Sequence, residues 1–291
     1  MKINLFENDK TESSIGGGWT FLRNLKKGLQ ELNHQITSSD FDISMACGAT
    51  MVTRDEWTKA SVKPVVLRAD GIPEDFRNRG TGWSRFRDYA RSANLVIHQS
   101  EFSRQTTGRL VGGPTSEVIY NGVDTSIFTP VGSRNQKFGS PSILFIYYRN
   151  DPNKRVQEAI ERFRQFKIDN PNSTISFLGN YPHEQFFWNN KSWDFGMLDL
   201  KENVDWRYLG IVRDRAELAT HMRSHDFLAF PSFADPCPNT LIEGMACGLK
   251  PLWINEYGSS VEIVKLYQDR FDFSLRRMTD HYVRCFNELI R

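Results

Sequence analysis

The sequence predicts an α/β protein with parallel sheets, organised as two successive units. Short apolar segments alternate with amphipathic stretches along all 291 residues, the pattern of strands joined by helical crossovers. Residues 129–140 break that pattern with Pro, Gly and polar residues and no apolar periodicity, as a linker does. The alternation then restarts at Ile143-Leu-Phe-Ile-Tyr147, so a second sheet begins there.

In the first unit, residues 3–6 read as the opening strand. A polar loop follows and ends in Gly16-Gly17-Gly18. Trp19, Leu22, Leu25, Leu29 and Leu32 then recur at helical spacing. Residues 64–68, 95–98 and 117–120 read as later strands, and Ser100-Glu-Phe-Ser103 as a helix cap. In the second unit a helix is expected near 156–166, a strand at 174–178, and a strand–helix–strand series through 204–210, Leu218-Ala219 and 226–232. The tail from Met278 to Leu289 has a helical pattern.

Composition narrows the function classes. Hydrophobic residues make up 39% and charged residues 25% of the chain, as in ordinary globular proteins. A net charge of +2 gives no field that argues for nucleic acid or an anionic membrane surface. Cys47, Cys237, Cys247 and Cys285 show no paired spacing, which fits a reduced compartment. With no leader pattern before the first strand and no apolar run of spanning length, a cytoplasmic location is expected.

The most informative stretch is Phe233-Ala-Asp-Pro-Cys-Pro-Asn-Thr-Leu-Ile-Glu-Gly-Met-Ala-Cys-Gly248. It sets Asp235 and Glu243 eight positions apart, with Pro236 and Pro238 between them. Asn239 reads as the N-cap of a helix that Gly248 stops. Asp235 then lies in a loop facing the helix start, and Glu243 lies just past the first turn. The exposed N–H groups of such a start suit a phosphate, and flanking carboxylates suit hydroxyls, so a sugar nucleotide fits. Taken alone, the turn reads equally well as structural punctuation.

The segment resembles the acidic E-x7-E motif of retaining GT-B glycosyltransferases, glycosyltransferase family 4 (group 1), with Asp235 in place of the first Glu and Glu243 matching the second. The flanking segments, 204–210, 226–232, 249–254 and 257–264, resemble the family in order and content. The resemblance implies a GT-B architecture: two Rossmann-like domains with parallel sheets facing an interdomain cleft. It places an acceptor-side domain at 1–134, with a C-terminal helix at about 277–291 crossing back to it. A nucleotide-sugar-binding domain would occupy 135–276.

Other positions carry weaker signals. Gly16, Gly17 and Gly18 alone mark a tight turn; they resemble the family's Gly-Gly loop, which lies near the donor diphosphate and the transferred sugar. Arg149 and Lys154 alone read as a solvated basic loop. They match the family's Gly-Arg-x4-Lys phosphate pair in identity and spacing, although Tyr148 and Arg155 stand where the family has glycines. Asn121-Gly-Val-Asp124 with Phe128 resembles a family signature and reads as a turn with Gly122 at a special backbone angle. Asp70, in Arg68-Ala-Asp-Gly71, is either a turn residue or an acceptor or sugar contact. His98 reads as a packed strand-end histidine. Asp40-Phe41-Asp42 is a D-x-D pattern in the wrong half for a metal site. The dense aromatics Phe186, Phe187, Trp188, Trp193 and Phe195 read as packing, or as a subunit or sugar-stacking patch.

The resemblance thus implies a metal-independent, retaining hexosyltransferase without a cofactor. Asp235, Glu243, Arg149 and Lys154 are the expected catalytic residues. Gly16, Gly17, Gly18, Asn239, Thr240 and Glu243 are expected to bind the donor. GDP-mannose is favoured slightly over UDP-glucose, and the acceptor is a glycan, a glycolipid or a protein-linked sugar. Peripheral membrane contact and a homodimer are further partner expectations; nucleic acid is not one. The alternatives are a sugar-nucleotide 2-epimerase of the same fold and a non-catalytic sugar-nucleotide-binding subunit.

Overall fold

The computed structural model describes residues 1–7, 16–70, 80–111, 116–148, 152–179, 186–188, 191–193 and 205–291. They fall into two compact units. Unit 1 comprises Met1–Asp124, Pro236–Asn239 and Asp269–Arg291; unit 2 comprises Thr125–Asp235 and Thr240–Gln268.

Unit 1 is built from β1 (Lys2–Asn4), α1 (Gly17–Glu31), β2 (Gln35–Ile36), β3 (Ile43–Cys47), α2 (Arg54–Ala60), β4 (Val65–Arg68), α3 (Gly80–Ser92), β5 (Leu95–His98), α4 (Glu101–Val111) and β6 (Ser116–Val118). The strands form one sheet in the order β2-β1-β3-β4-β5-β6, parallel at every pairing. All residues of β3, β4 and β5 are buried, as expected where helices cover both faces of a parallel sheet.

The chain's last helix, α9 (Leu275–Ile290), belongs to unit 1. Its Met278, Tyr282, Cys285 and Phe286 join Phe21, Leu22, Leu25 and Leu29 of α1 in one core against the sheet. The two helices approach closely enough that a Cβ on Gly28 would lie 2.0 Å from Thr279 Oγ1. Gly122 is there for the same reason. It does not take the left-handed conformation that the sequence suggests; instead, a Cβ there would lie 2.8 Å from Leu275 Cα.

Unit 2 contains β7 (Ser142–Tyr147), α5 (Val156–Asp169), β8 (Thr174–Gly179), the antiparallel pair β9 (Phe186–Trp188) and β10 (Lys191–Trp193), β11 (Trp206–Tyr208), α6 (Arg215–Arg223), β12 (Phe227–Ala229), β13 (Lys250–Leu252) and α8 (Ser260–Gln268). Helix α7 (Asn239–Ala246) begins on the last unit 1 residue of its segment and continues in unit 2. The main sheet is parallel, ordered β11-β8-β7-β12-β13. Every residue of the two central strands β7 and β8 is buried. Phe145, Phe163, Phe177 and Trp206 fill its core. Phe195 of the aromatic-rich stretch lies outside the described residues.

Candidate functional site

In unit 2 the Asp235 loop is held from two sides by backbone hydrogen bonds. Phe233 N–H donates to Asn153 O at 2.7 Å, and Ala234 N–H to Tyr257 O at 2.7 Å. Ser259 donates to Asp235 O from its backbone N–H at 2.9 Å and from its hydroxyl at 3.0 Å. Phe233 stacks on Tyr257 with centroids 4.8 Å apart, and the Arg155 guanidinium sits 5.0 Å from the Phe233 centroid. Ala234 takes a left-handed φ of 57°, a strained conformation of a kind found at functional turns. Gly258, at φ 141°, lets the next turn pass within a Cβ distance of 3.1 Å from Asp235 N.

This scaffold delivers Asp235 to Lys154. Nζ donates to Oδ2 at 3.0 Å, and the two side chains keep 30% and 16% exposure, so both can be reached by solvent or ligand. Lys154 ends a short turn of 3-10 helix (Pro152–Lys154), and Arg155 then enters α5 in the left-handed conformation, φ 52° and ψ 48°. That explains the glycine usual at this point of the resembling motif: the turn needs a left-handed residue, and here Arg155 supplies it. Arg149 lies outside the described residues.

Glu243 stands on α7 with 3% exposure. Its Oε1 accepts from Arg215 Nη2 at the start of α6. Arg215 also lies 4.7 Å from the Phe128 ring centroid. Tyr148 borders the pair; its hydroxyl donates to Val212 O at 2.8 Å, and burial pushes its pKa above the ordinary phenol range. Thr240 lies in the first turn of α7. The sequence reading missed Arg215. An Arg at a helix start opposes the usual dipole preference, and its distance from Glu243 along the chain forms no motif.

In unit 1, Gly16 adopts φ 143° directly before α1, and Gly17 and Gly18 form the first turn of that helix. Asp70, just beyond β4, faces the same loop: a Cβ on Gly18 would lie 3.4 Å from Asp70 Oδ2. Asn239 Nδ2 donates to Gly17 O at 3.2 Å. Asn239 is therefore not the expected N-cap. It is the first residue of α7, and its amide is engaged sideways, because Asn121 Nδ2 also donates to its Oδ1 at 2.8 Å.

Beneath these residues lies Arg68, 1% exposed. Its Nη2 donates to Gln99 Oε1 at 2.6 Å and to Asn121 Oδ1 at 2.9 Å, and its Nη1 lies 3.7 Å from Asp70 Oδ1. The guanidinium stacks 3.7 Å from the Phe21 centroid. Asn121 in turn donates to Cys237 O at 2.9 Å. One buried cation thus ties the Asp70 turn, the Asn121 turn and the 236–239 loop together. A cavity of about 510 Å³ opens near the carboxyl ends of β1 and β2, bordered by Asn4, Phe6, Thr37, Phe41, Glu56 and Lys59.

The remaining candidates have structural partners. Asp42 accepts from Lys2 N–H at 2.7 Å and Asp40 pairs with Lys2 Nζ, so the D-x-D acids anchor the start of β1. His98 is buried and bonded to Thr107 Oγ1 at 3.0 Å. Among the described residues no group of three or more His, Cys, Asp or Glu could hold a metal ion. No described helix is long and apolar enough to cross a membrane.

The second sheet, with its acid-and-lysine loop and the Glu243 helix, falls within one family assignment. Residues 133–274 match the family of glycosyl transferases group 1. The group 1 match covers just under half the chain, from the linker through the Asp235 loop and α7 to the turn before α9. A search of curated proteins finds no match. Among solved structures, sucrose-phosphate synthase from Thermosynechococcus elongatus is 11% identical, with a TM-score of 0.62 over 98% of this chain and 94% of that one. The UDP-forming α,α-trehalose-phosphate synthase from Burkholderia xenovorans is 11% identical, with a TM-score of 0.60 over 93% and 79%. The pneumococcal O-GlcNAc transferase solved with UDP and GlcNAc is 12% identical, with a TM-score of 0.60 over 92% and 60%. At such identities the likeness speaks for the fold, and the fold is that of the GT-B glycosyltransferases.

Proposed function

We propose that the protein is a retaining, metal-independent hexosyltransferase of glycosyltransferase family 4 that uses a nucleoside-diphosphate sugar. The observation that carries the reading is the Lys154–Asp235 pair, within a segment that matches group 1 glycosyltransferases. A cation for phosphate and a carboxylate for hydroxyls stand side by side, as a sugar nucleotide requires.

Lys154 and Arg149 neutralise the diphosphate as it leaves, with the backbone N–H groups at Asn239 and Thr240. Such preorganised donors count most where charge develops in the transition state. Asp235 accepts from hydroxyls of the transferred sugar, and Glu243 accepts from the ribose diol. Gly16, Gly17 and Gly18 let the backbone approach the donor sugar, and Asp70 contacts the sugar or the acceptor hydroxyl. The acceptor is a glycan, a glycolipid or a protein-linked sugar. The unit 1 cavity, with apolar walls from Phe6 and Phe41 and polar groups from Asn4 and Thr37, suits a hydroxylated acceptor. Mannose from GDP-mannose is the favoured donor sugar, ahead of glucose from UDP-glucose. The protein works on the cytoplasmic side, with peripheral membrane contact through its acceptor.

The test is turnover in EDTA with GDP-mannose or UDP-glucose, following release of the nucleoside diphosphate and the anomeric configuration of the product. Retained configuration is expected. Glu243→Ala and Arg149→Ala should each weaken donor binding about tenfold or more, since each removes a charge-assisted bond. Unchanged affinity in both variants removes the site assignment. Epimerised donor without acceptor would favour the epimerase, and binding without turnover a non-catalytic subunit.

A further inference from the structure

The ion pair between Arg215 and Glu243 has no part in the reading above and was not visible in the sequence. Glu243 has 3% exposure, and a carboxylate so buried needs a compensating charge. Arg215 supplies it through Oε1 alone. Arg215 is itself held from a second direction, against Phe128 at 4.7 Å. The chain just before it is fixed as well: Asp214 caps α6 by accepting from Glu217 N–H at 2.7 Å, and Val212 O accepts from Tyr148. The guanidinium therefore reaches Glu243 from a braced position, and its grip on one oxygen fixes the plane of the carboxylate.

We infer that Arg215 is a positioning residue for ribose recognition: by holding Oε1 of Glu243, it orients the carboxylate for the diol of a nucleoside diphosphate. This rests on the reading that Glu243 accepts from the ribose. In that arrangement the free oxygen takes the hydroxyl protons, and Arg215 itself touches no substrate. A carboxylate aligned in advance loses less conformational freedom on binding than one that must find its rotamer.

The test uses GDP and UDP with their 2′-deoxy forms, titrated calorimetrically into the whole protein and into Arg215→Met, Arg215→Lys and Glu243→Gln. Wild-type protein should prefer the ribonucleotide over its deoxy form by about tenfold, the worth of one charge-assisted bond. Arg215→Met should bring that preference close to one while both forms still bind. Arg215→Lys should restore part of it, since a lysine can reach the same oxygen without the planar fork. A variant in which Arg215 is merely structural would weaken both forms equally and keep the preference, and that result overturns the inference. Tighter binding in Arg215→Met also overturns it, because the pair would then be a latch rather than a brace. If Glu243→Gln keeps the full preference, the ribose role of Glu243 itself falls. If Glu243→Gln loses it while Arg215→Met keeps it, only the role of Arg215 falls. Should Arg215→Met fail to fold, Arg215→Lys and Arg215→Gln are read by the same ratio.

Discussion

Lys154 Nζ donates to Asp235 Oδ2 at 3.0 Å, which joins two residues far apart in the chain at the point where two turns are stitched together. The pair is partly exposed, so its worth to stability is small, on the order of 1 kcal/mol or less. Its value is in ligand binding. Lys154→Met should leave the midpoint of urea unfolding nearly unchanged and weaken nucleoside-diphosphate binding by about tenfold. Asp235→Asn should retain binding of the nucleotide and lose turnover. Isothermal titration beside a coupled nucleotide-release assay separates the two effects.

Arg68 predicts the opposite pattern. It is fully buried and satisfies Gln99 and Asn121 at once. Arg68→Met strands both amides inside unit 1 and should cost about 2–4 kcal/mol in urea unfolding. The loss should be larger than for Arg54→Ala, whose ion pair with Asp88 lies at the surface.

Gly258 tests the scaffold behind Asp235. At φ 141° an alanine is strained, and its Cβ would press on Asp235 N at 3.1 Å. Gly258→Ala should cost about 1–3 kcal/mol of stability and lower turnover without changing any side chain proposed to touch substrate. Thermal unfolding and steady-state kinetics check both.

Two buried histidines set an acid limit. Burial lowers His98 to about 4, and it lowers His225 to about 4 against the small opposing effect of its bond to His221 O. The unfolded chain, with histidines near 6.5, therefore binds more protons than the folded one between pH 6.5 and 4. Stability is full above pH 6.5 and declines as pH falls through that window, by about 2 kcal/mol per histidine at pH 5. Urea midpoints between pH 7.5 and 5 measure it. His225→Gln, which keeps a polar group near Ser176 Oγ, should flatten the slope.

Much of this fold was legible because its strands are apolar runs bounded by turn residues. Leu95–His98 and the restart at Ile143 are plain in the sequence, and so are the stripes of α1 and α9, which pack together. Strand β3 escaped notice because Ile43-Ser-Met-Ala-Cys47 is buried on both faces and alternates nothing, and β2 has only two residues. The acids, the lysine and the glycines were legible as local motifs. The groups that hold them were not. Arg68 reads as an ordinary strand-end cation, Asn121 as a turn residue and Arg215 as a helix start. Their roles come from long-range pairing, which leaves no local spacing to find.

The central claim is that this chain binds a nucleoside-diphosphate sugar without a metal. The most direct measurement is calorimetric titration of GDP-mannose, UDP-glucose, UDP-N-acetylglucosamine and ADP-glucose in EDTA, with Lys154→Met as the control. Saturable binding of one donor, weakened about tenfold in the variant, is the predicted result. No binding of any donor, with or without Mg²⁺, would contradict the claim and leave only the fold.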